Sequence, residues 1–143
     1  MKSMSKILMA VAAIAFVAVS CGKYEEGPKI SLASKTSRLV NIWKMEAMFI
    51  NGAEQTLTDD DKDDYIEYKK DGGLTITWVS GTSSMSFEGT WEFSDDKTQI
   101  ISSYTFGSTT SKDTTDILRL KSGELWLEQV DGTETSEIHY VTK

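Results

Sequence analysis

Between Ser84 and Phe93 the chain alternates without a break, with Met85, Phe87, Gly89, Trp91 and Phe93 on one side and Ser84, Ser86, Glu88, Thr90 and Glu92 on the other. Successive side chains of a strand point to opposite faces, so this period of two describes a strand buried on one face and wet on the other. Such a strand needs a partner for its apolar face and neighbours for both edges. The same demand recurs along the chain. Leu39, Trp43, Met45, Ala47 and Phe49 fall on one face of a run ending at Ile50, and Asn51-Gly52 then carries a strong hairpin signal. A brief arm, Ala53 to Thr58, is expected to return along that run. Tyr65 to Lys70 reads as a strand closed by Asp71-Gly72-Gly73, and Leu74, Ile76 and Trp78 alternate with Thr75, Thr77 and Val79 up to Gly81.

Asp95-Asp96-Lys97 turns into Thr98–Phe106, and a polar loop from Gly107 to Lys112 leads to Thr114–Leu120. Lys121-Ser122-Gly123 turns into Glu124–Val130, and Asp131-Gly132 into Glu134–Thr142. No stretch of this region has a sustained helical period. Consecutive strands joined by tight turns pair with their neighbours. The fold class expected is all-β: an eight-stranded antiparallel up-and-down β-barrel, in which closure removes both edges. A two-sheet β-sandwich is the alternative, but its crossovers usually need longer connections.

The first 20 residues follow a different logic. Lys2 and Lys6 precede an uncharged apolar run from Ile7 to Val19, and Ala18-Val19-Ser20 leads directly into Cys21, the only cysteine. A positive start, an apolar centre and a small-residue cleavage site describe a secretory signal, and the run is too short to span a bilayer as a helix. With cysteine in the first mature position the segment resembles a bacterial lipoprotein signal, with Ala18 where leucine is commonest. The resemblance implies lipid attachment at Cys21 and a membrane partner through that lipid. Residues 21–37 then read as a solvated tether holding the only proline, Pro28, and residues 38–143 as the barrel domain. In lipoproteins of the Bacteroidota a short acidic patch such as Glu25-Glu26 resembles the signal for the outer face of the outer membrane. The expected location is therefore the outer membrane, at the cell surface or else facing the periplasm.

Charge narrows the partners. The whole chain carries −7, and loss of Lys2 and Lys6 with the signal makes it −9. Such a surface repels phosphate backbones, so nucleic acid is not an expected partner. With Cys21 lipidated, no thiol is left for a disulfide or a thiolate metal site. The core must therefore come from apolar packing, for which four Trp, five Tyr and five Phe, one of them inside the signal, are present.

Arg38-Leu39-Val40-Asn41-Ile42-Trp43-Lys44-Met45 resembles the opening strand of lipocalin-like domains, where a tryptophan plugs the barrel base. Gly89-Thr90-Trp91-Glu92-Phe93, the Leu118–Leu120 to Leu125–Leu127 hairpin and the final His139-Tyr140 strand are similar to small lipocalin-like lipoproteins of the Bacteroidota. Asn41 stands where the family pattern has glycine, and the domain is shorter than a typical carrier.

No motif points to catalysis or to a cofactor. Counted from Asp59, the acidic run Asp59–Asp64 has Asp64 and Lys70 where a helix-loop-helix calcium site needs glycine and an acid, so a solvated loop or a helical turn capped by Thr58 is expected. His139 is the sole histidine, which excludes multi-histidine zinc sites. It sits between Ile138 and Tyr140 as a strand residue pointing away from their face. Gly81-Thr82-Ser83-Ser84-Met85 lacks the second glycine of a nucleophile elbow. What remains is an aromatic set. Trp43, Trp78, Phe87 and Trp91, with Phe93, are expected inward, and Tyr104 is the further aromatic candidate. Ser80, Ser102 or Arg119 are candidates for the polar groups of a pocket. The expected function is non-catalytic capture of a small hydrophobic ligand inside a lipid-anchored barrel. The competing expectation is a filled barrel that contacts an envelope or host protein through the loops Thr58–Asp64 and Gly107–Asp113.

Overall fold

The computed structural model describes residues 33–143. Cys21, the Glu25-Glu26 pair, the signal segment 1–20 and most of the 21–37 tether lie outside the described residues. The elements, in chain order, are α1 (Lys35–Leu39), β1 (Ile42–Ile50), β2 (Ala53–Glu54), α2 (Asp59–Asp63), β3 (Tyr65–Tyr68), β4 (Gly73–Ser80), β5 (Ser83–Phe93), β6 (Gln99–Phe106), β7 (Thr109–Leu120), β8 (Glu124–Asp131) and β9 (Glu134–Thr142). Each strand from β3 to β9 pairs antiparallel with the next, and β1 pairs with both β3 and β9. The result is a closed eight-stranded antiparallel barrel, with the two-residue β2 folded back on β1. Closure leaves no long edge open to another chain.

Turn chemistry sets the register. Asn51 and Gly52 both have positive φ, as a two-residue primed hairpin turn requires, and β1 pairs back through Phe49↔Glu54 and Ile50↔Ala53. The expected loop from Gly107 to Lys112 is instead a tight turn at Gly107-Ser108, since Phe106 pairs with Thr109 and the ladder continues to Gln99↔Asp116. Gly107 has φ +61 and needs no longer connection. Gly107–Asp113 is therefore mostly strand and offers no loop surface.

The helices are single turns, too short to leave a periodic trace in sequence. In α1 the Ser34 hydroxyl accepts from the Ser37 amide at 3.0 Å, and the turn buries Arg38 and Leu39, so the tether expected to end at Ser37 already enters structure here. In α2 Thr58 and Asp61 form a reciprocal capping box. These bonds from Thr58 hold the Asp61 carboxyl below its ordinary value. Asp64 Oδ1 accepts from the Val79 amide at 2.6 Å and Asp60 Oδ1 from the Gly81 amide at 3.1 Å. The acidic run thus ties α2 to β4 beyond the end of short β3, and among the described residues no group of three metal-ligating side chains converges.

The core is concentrated at one end. Leu39, Trp43, Ile100, Leu120 and Leu125 are fully buried there, and the Trp43 Nε1 donates to the Leu39 carbonyl at 2.8 Å. This bond ties the end of α1 to the tryptophan of β1. At the start of α1, Lys35 donates to the Lys97 carbonyl in the β5–β6 turn at 3.1 Å. The opposite end, ringed by the Gly52, Gly81, Gly107 and Gly132 turns, is the mouth.

Candidate functional site

Two bulges decide which side chains face the lumen. Residues paired across a ladder share a face. Ile138 lines the lumen and pairs with Met48, whereas His139 pairs with Ala47. The register shift between Met45 and Ala47 therefore swaps the faces of β1, and Ala47 and Phe49 point outward, contrary to the uninterrupted alternation expected. Phe49 packs against His139 outside the barrel, with ring centroids 5.0 Å apart. A second shift, between Ile117 and Arg119, does the same in β7. Arg119 lies on the outer wall, its guanidinium 4.4 Å from the Trp126 ring and its Nε 3.0 Å from Glu124. It does not supply a polar group to the lumen. His139 completes this outer stack, parallel to Trp126 at 3.9 Å, with Nε2 2.6 Å from Glu137.

Of the other expected site residues, Trp43 and Trp91 belong to the closed end. Trp91 donates from Nε1 to the Lys69 carbonyl at 2.9 Å and meets Tyr68 and Phe93 edge-on. Both tryptophans are core, and neither lines the cavity above them. Trp78 has the lumen register of Ile76 but sits too far up β4 to be covered: it is 51% exposed. Its ring contacts Phe87 at 4.7 Å, and Phe87 contacts Phe106 at 4.9 Å. With Met85 paired to Trp78, these side chains form an apolar lip on β4, β5 and β6. Phe106 is 55% exposed and Met85 57%. Ser80 lies at the hairpin tip beside this lip, away from the cavity.

Below the lip is a cavity of about 150 Å³. Its lower wall is apolar, from Ile66, Leu74, Ile76, Leu127 and Ile138, and its floor carries the phenols of Tyr68 and Tyr140. Burial pushes both phenols well above the ordinary tyrosine value, with Tyr140 raising Tyr68 further and Ser102 acting against that rise through its hydrogen bond. Asp64 adds to the rise at Tyr140. The floor is therefore neutral at physiological pH. A smaller hollow of about 70 Å³ shares Ile66, Ile76 and Tyr140 and reaches up to Trp78 and Met45.

The upper wall is polar, with Tyr104, Asp113, Gln129 and Ser136. Tyr104 donates its hydroxyl proton to Asp113 Oδ2. That bond, then burial and then the Asp113 charge, push the Tyr104 phenol up to about 12. Gly89 makes room for it: a Cβ there would lie 2.3 Å from the Ser103 carbonyl oxygen and 2.9 Å from Tyr104 Cβ. Tyr104 and Ser102 are thus the sequence candidates that line the cavity. Asp113 goes unnamed where the start of β7 reads as loop, whereas Gln129 and Ser136 are polar residues two places along from Leu127 and Ile138 on the inner faces of β8 and β9. Counting back by twos from Ile117 through Thr115 would have put Asp113 inward.

The fold agrees with what the chain is similar to. Insecticyanin from the tobacco hornworm Manduca sexta superimposes with a TM-score of 0.59 at 15% identity, covering 85% of this chain and 68% of that one, which is a likeness of fold. Among curated proteins none is significantly similar in sequence. The model of the lipocalin-like domain matches residues 39–127, from the plug leucine to the β8 wall, and the chain belongs to the lipocalin-like domain family.

Proposed function

We propose that this protein is a lipid-anchored carrier that captures a small, mostly apolar molecule in the open end of its barrel and releases it unchanged. The observation that carries this reading is the cavity of about 150 Å³ beneath an exposed aromatic lip. An aliphatic cavity of that size holds a single benzene-like ring, and a longer molecule would continue past Phe87 and Trp78. Closing the lip over a ligand removes half-exposed rings from water, at ~25 cal/mol per Å² of apolar surface covered. Anchoring is supported by the signal-like run ending at Cys21, and an outer-membrane position at the cell surface by Glu25-Glu26. Because α1 lies at the closed end, a tether entering there would leave the mouth facing away from the anchor.

The exposed lip also favours a second reading, a docking module for an envelope or host protein. One experiment separates the two. A soluble form beginning at Gly22 keeps the closed sheet and the whole core, and is incubated with a crude lipid and metabolite extract before native mass spectrometry. The expected result is a discrete adduct that Ile76→Trp abolishes by filling the cavity while leaving the lip intact. A bare protein across several extracts, or an adduct untouched by Ile76→Trp, overturns the carrier reading.

A further inference from the structure

The polar half of the cavity carries charge of one sign: beside the neutral amide of Gln129 and the hydroxyl of Ser136 stands the Asp113 carboxylate. A tyrosine hydroxyl has one proton to give, and Tyr104 gives it to Asp113 Oδ2. What the pair still offers a ligand is acceptors only: Asp113 Oδ1 and the lone pairs of the Tyr104 oxygen. Among the described residues, no lysine, arginine or histidine lines the cavity, and the carboxylate that faces it is Asp113, since Glu128 pairs with Glu137 on the outer face. The nearest basic residue in the β7 run, Lys112, alternates to the outer side of the wall and is exposed. Directly above, the Phe87 and Phe106 rings continue the inner face, Phe106 being two residues along β6 from Tyr104. Aromatic faces attract cations and do not attract carboxylates.

From this arrangement we infer that the cavity selects an amine: a small molecule with an apolar ring or chain and a cationic, hydrogen-bond-donating head that sits on Asp113 and Tyr104. The inference rests on the reading of the cavity as a ligand site and adds the charge of the ligand to it. A fatty acid or other carboxylate would bring a second negative charge against Asp113 with no cation in the lining to offset it, and is rejected. The apolar part lies on Ile66, Ile76, Leu127 and Ile138, and the neutral phenols below it add no charge.

The test uses the soluble form beginning at Gly22 and three probes of nearly equal size: 2-phenylethylamine, 2-phenylethanol and phenylacetate. Methyl NMR shifts of Ile66, Ile76, Leu127 and Ile138 report binding at millimolar concentrations. The amine is expected to bind on the order of tenfold tighter than the alcohol, the size of a partly solvated charge-assisted hydrogen bond, with phenylacetate weakest. Asp113→Asn brings the amine down to the alcohol and leaves the alcohol within about twofold. Asp113→Glu restores the preference, and Tyr104→Phe, which frees both carboxylate oxygens, keeps it. Equal affinity for amine and alcohol overturns the inference while leaving the carrier reading intact. A preference that survives Asp113→Asn also overturns it, because the field of the acidic protein would then be its source. Failure of all three probes to shift any lumen methyl, beside unchanged shifts in Ile76→Trp, overturns both readings together.

Discussion

At the scale of single residues, chemistry at the mouth depends on which protons are already committed. Tyr104 is the clearest case. Its folded value of about 12 stands above the ordinary 10, so its protonated form favours the folded state. That contribution is complete below pH 10 and disappears as pH rises from 10 through 12. The expected phenolate absorbance difference between the native protein and Tyr104→Phe has its midpoint near 12, and Asp113→Asn moves that midpoint down towards 10 by removing the largest cause. A midpoint unmoved by Asp113→Asn would show that the pair does not share its proton as drawn. The sequence named Tyr104 and Ser102 but not Asp113, because a side chain's facing depends on a strand phase that a loop reading of the residues after Gly107 leaves unset. Arg119 illustrates the converse: its residue type suits a pocket, and one extra residue in its strand turns it outside.

Strand pairs set the next scale. β5 carries the cleanest alternation in the chain, and its inner face runs Met85, Phe87, Gly89, Trp91, Phe93 with a gap at the glycine. The gap is filled from across the ladder, where Gly89 pairs with Tyr104. Gly89→Ala is therefore expected to destabilise by about 1–3 kcal/mol, as overpacking of an ordered interior does, and to push Tyr104 off Asp113. Urea denaturation measures the first effect, and the Tyr104 titration falling towards its ordinary value measures the second; a variant as stable as the parent would refute the close approach. The alternation was plain from sequence, yet the reason for glycine in it was not. In the same way the two bulges leave no mark in composition, although each reverses the faces of everything beyond it.

At the scale of the whole molecule the barrel separates stability from binding by placing them at opposite ends. Trp43, fully buried and bonded to the Leu39 carbonyl, carries the closed end. Trp43→Ala is expected to cost ~3–5 kcal/mol, the usual range for emptying a large aromatic site, while the molecules that remain folded keep their ligand affinity. Loss of affinity in step with stability in that variant would place the site lower in the barrel. The all-β class and the meander order were legible because period-two patterning and hairpin turns are local properties, written in neighbouring residues, while the plugging role of Trp43 was implied by the resemblance of its strand to lipocalin-like domains. Which of the inward aromatics are core and which form a wet lip was decided only by the tertiary structure. Coverage depends on how high each strand stands against its neighbours in the closed sheet, and on bulge and register relations between residues far apart in the chain.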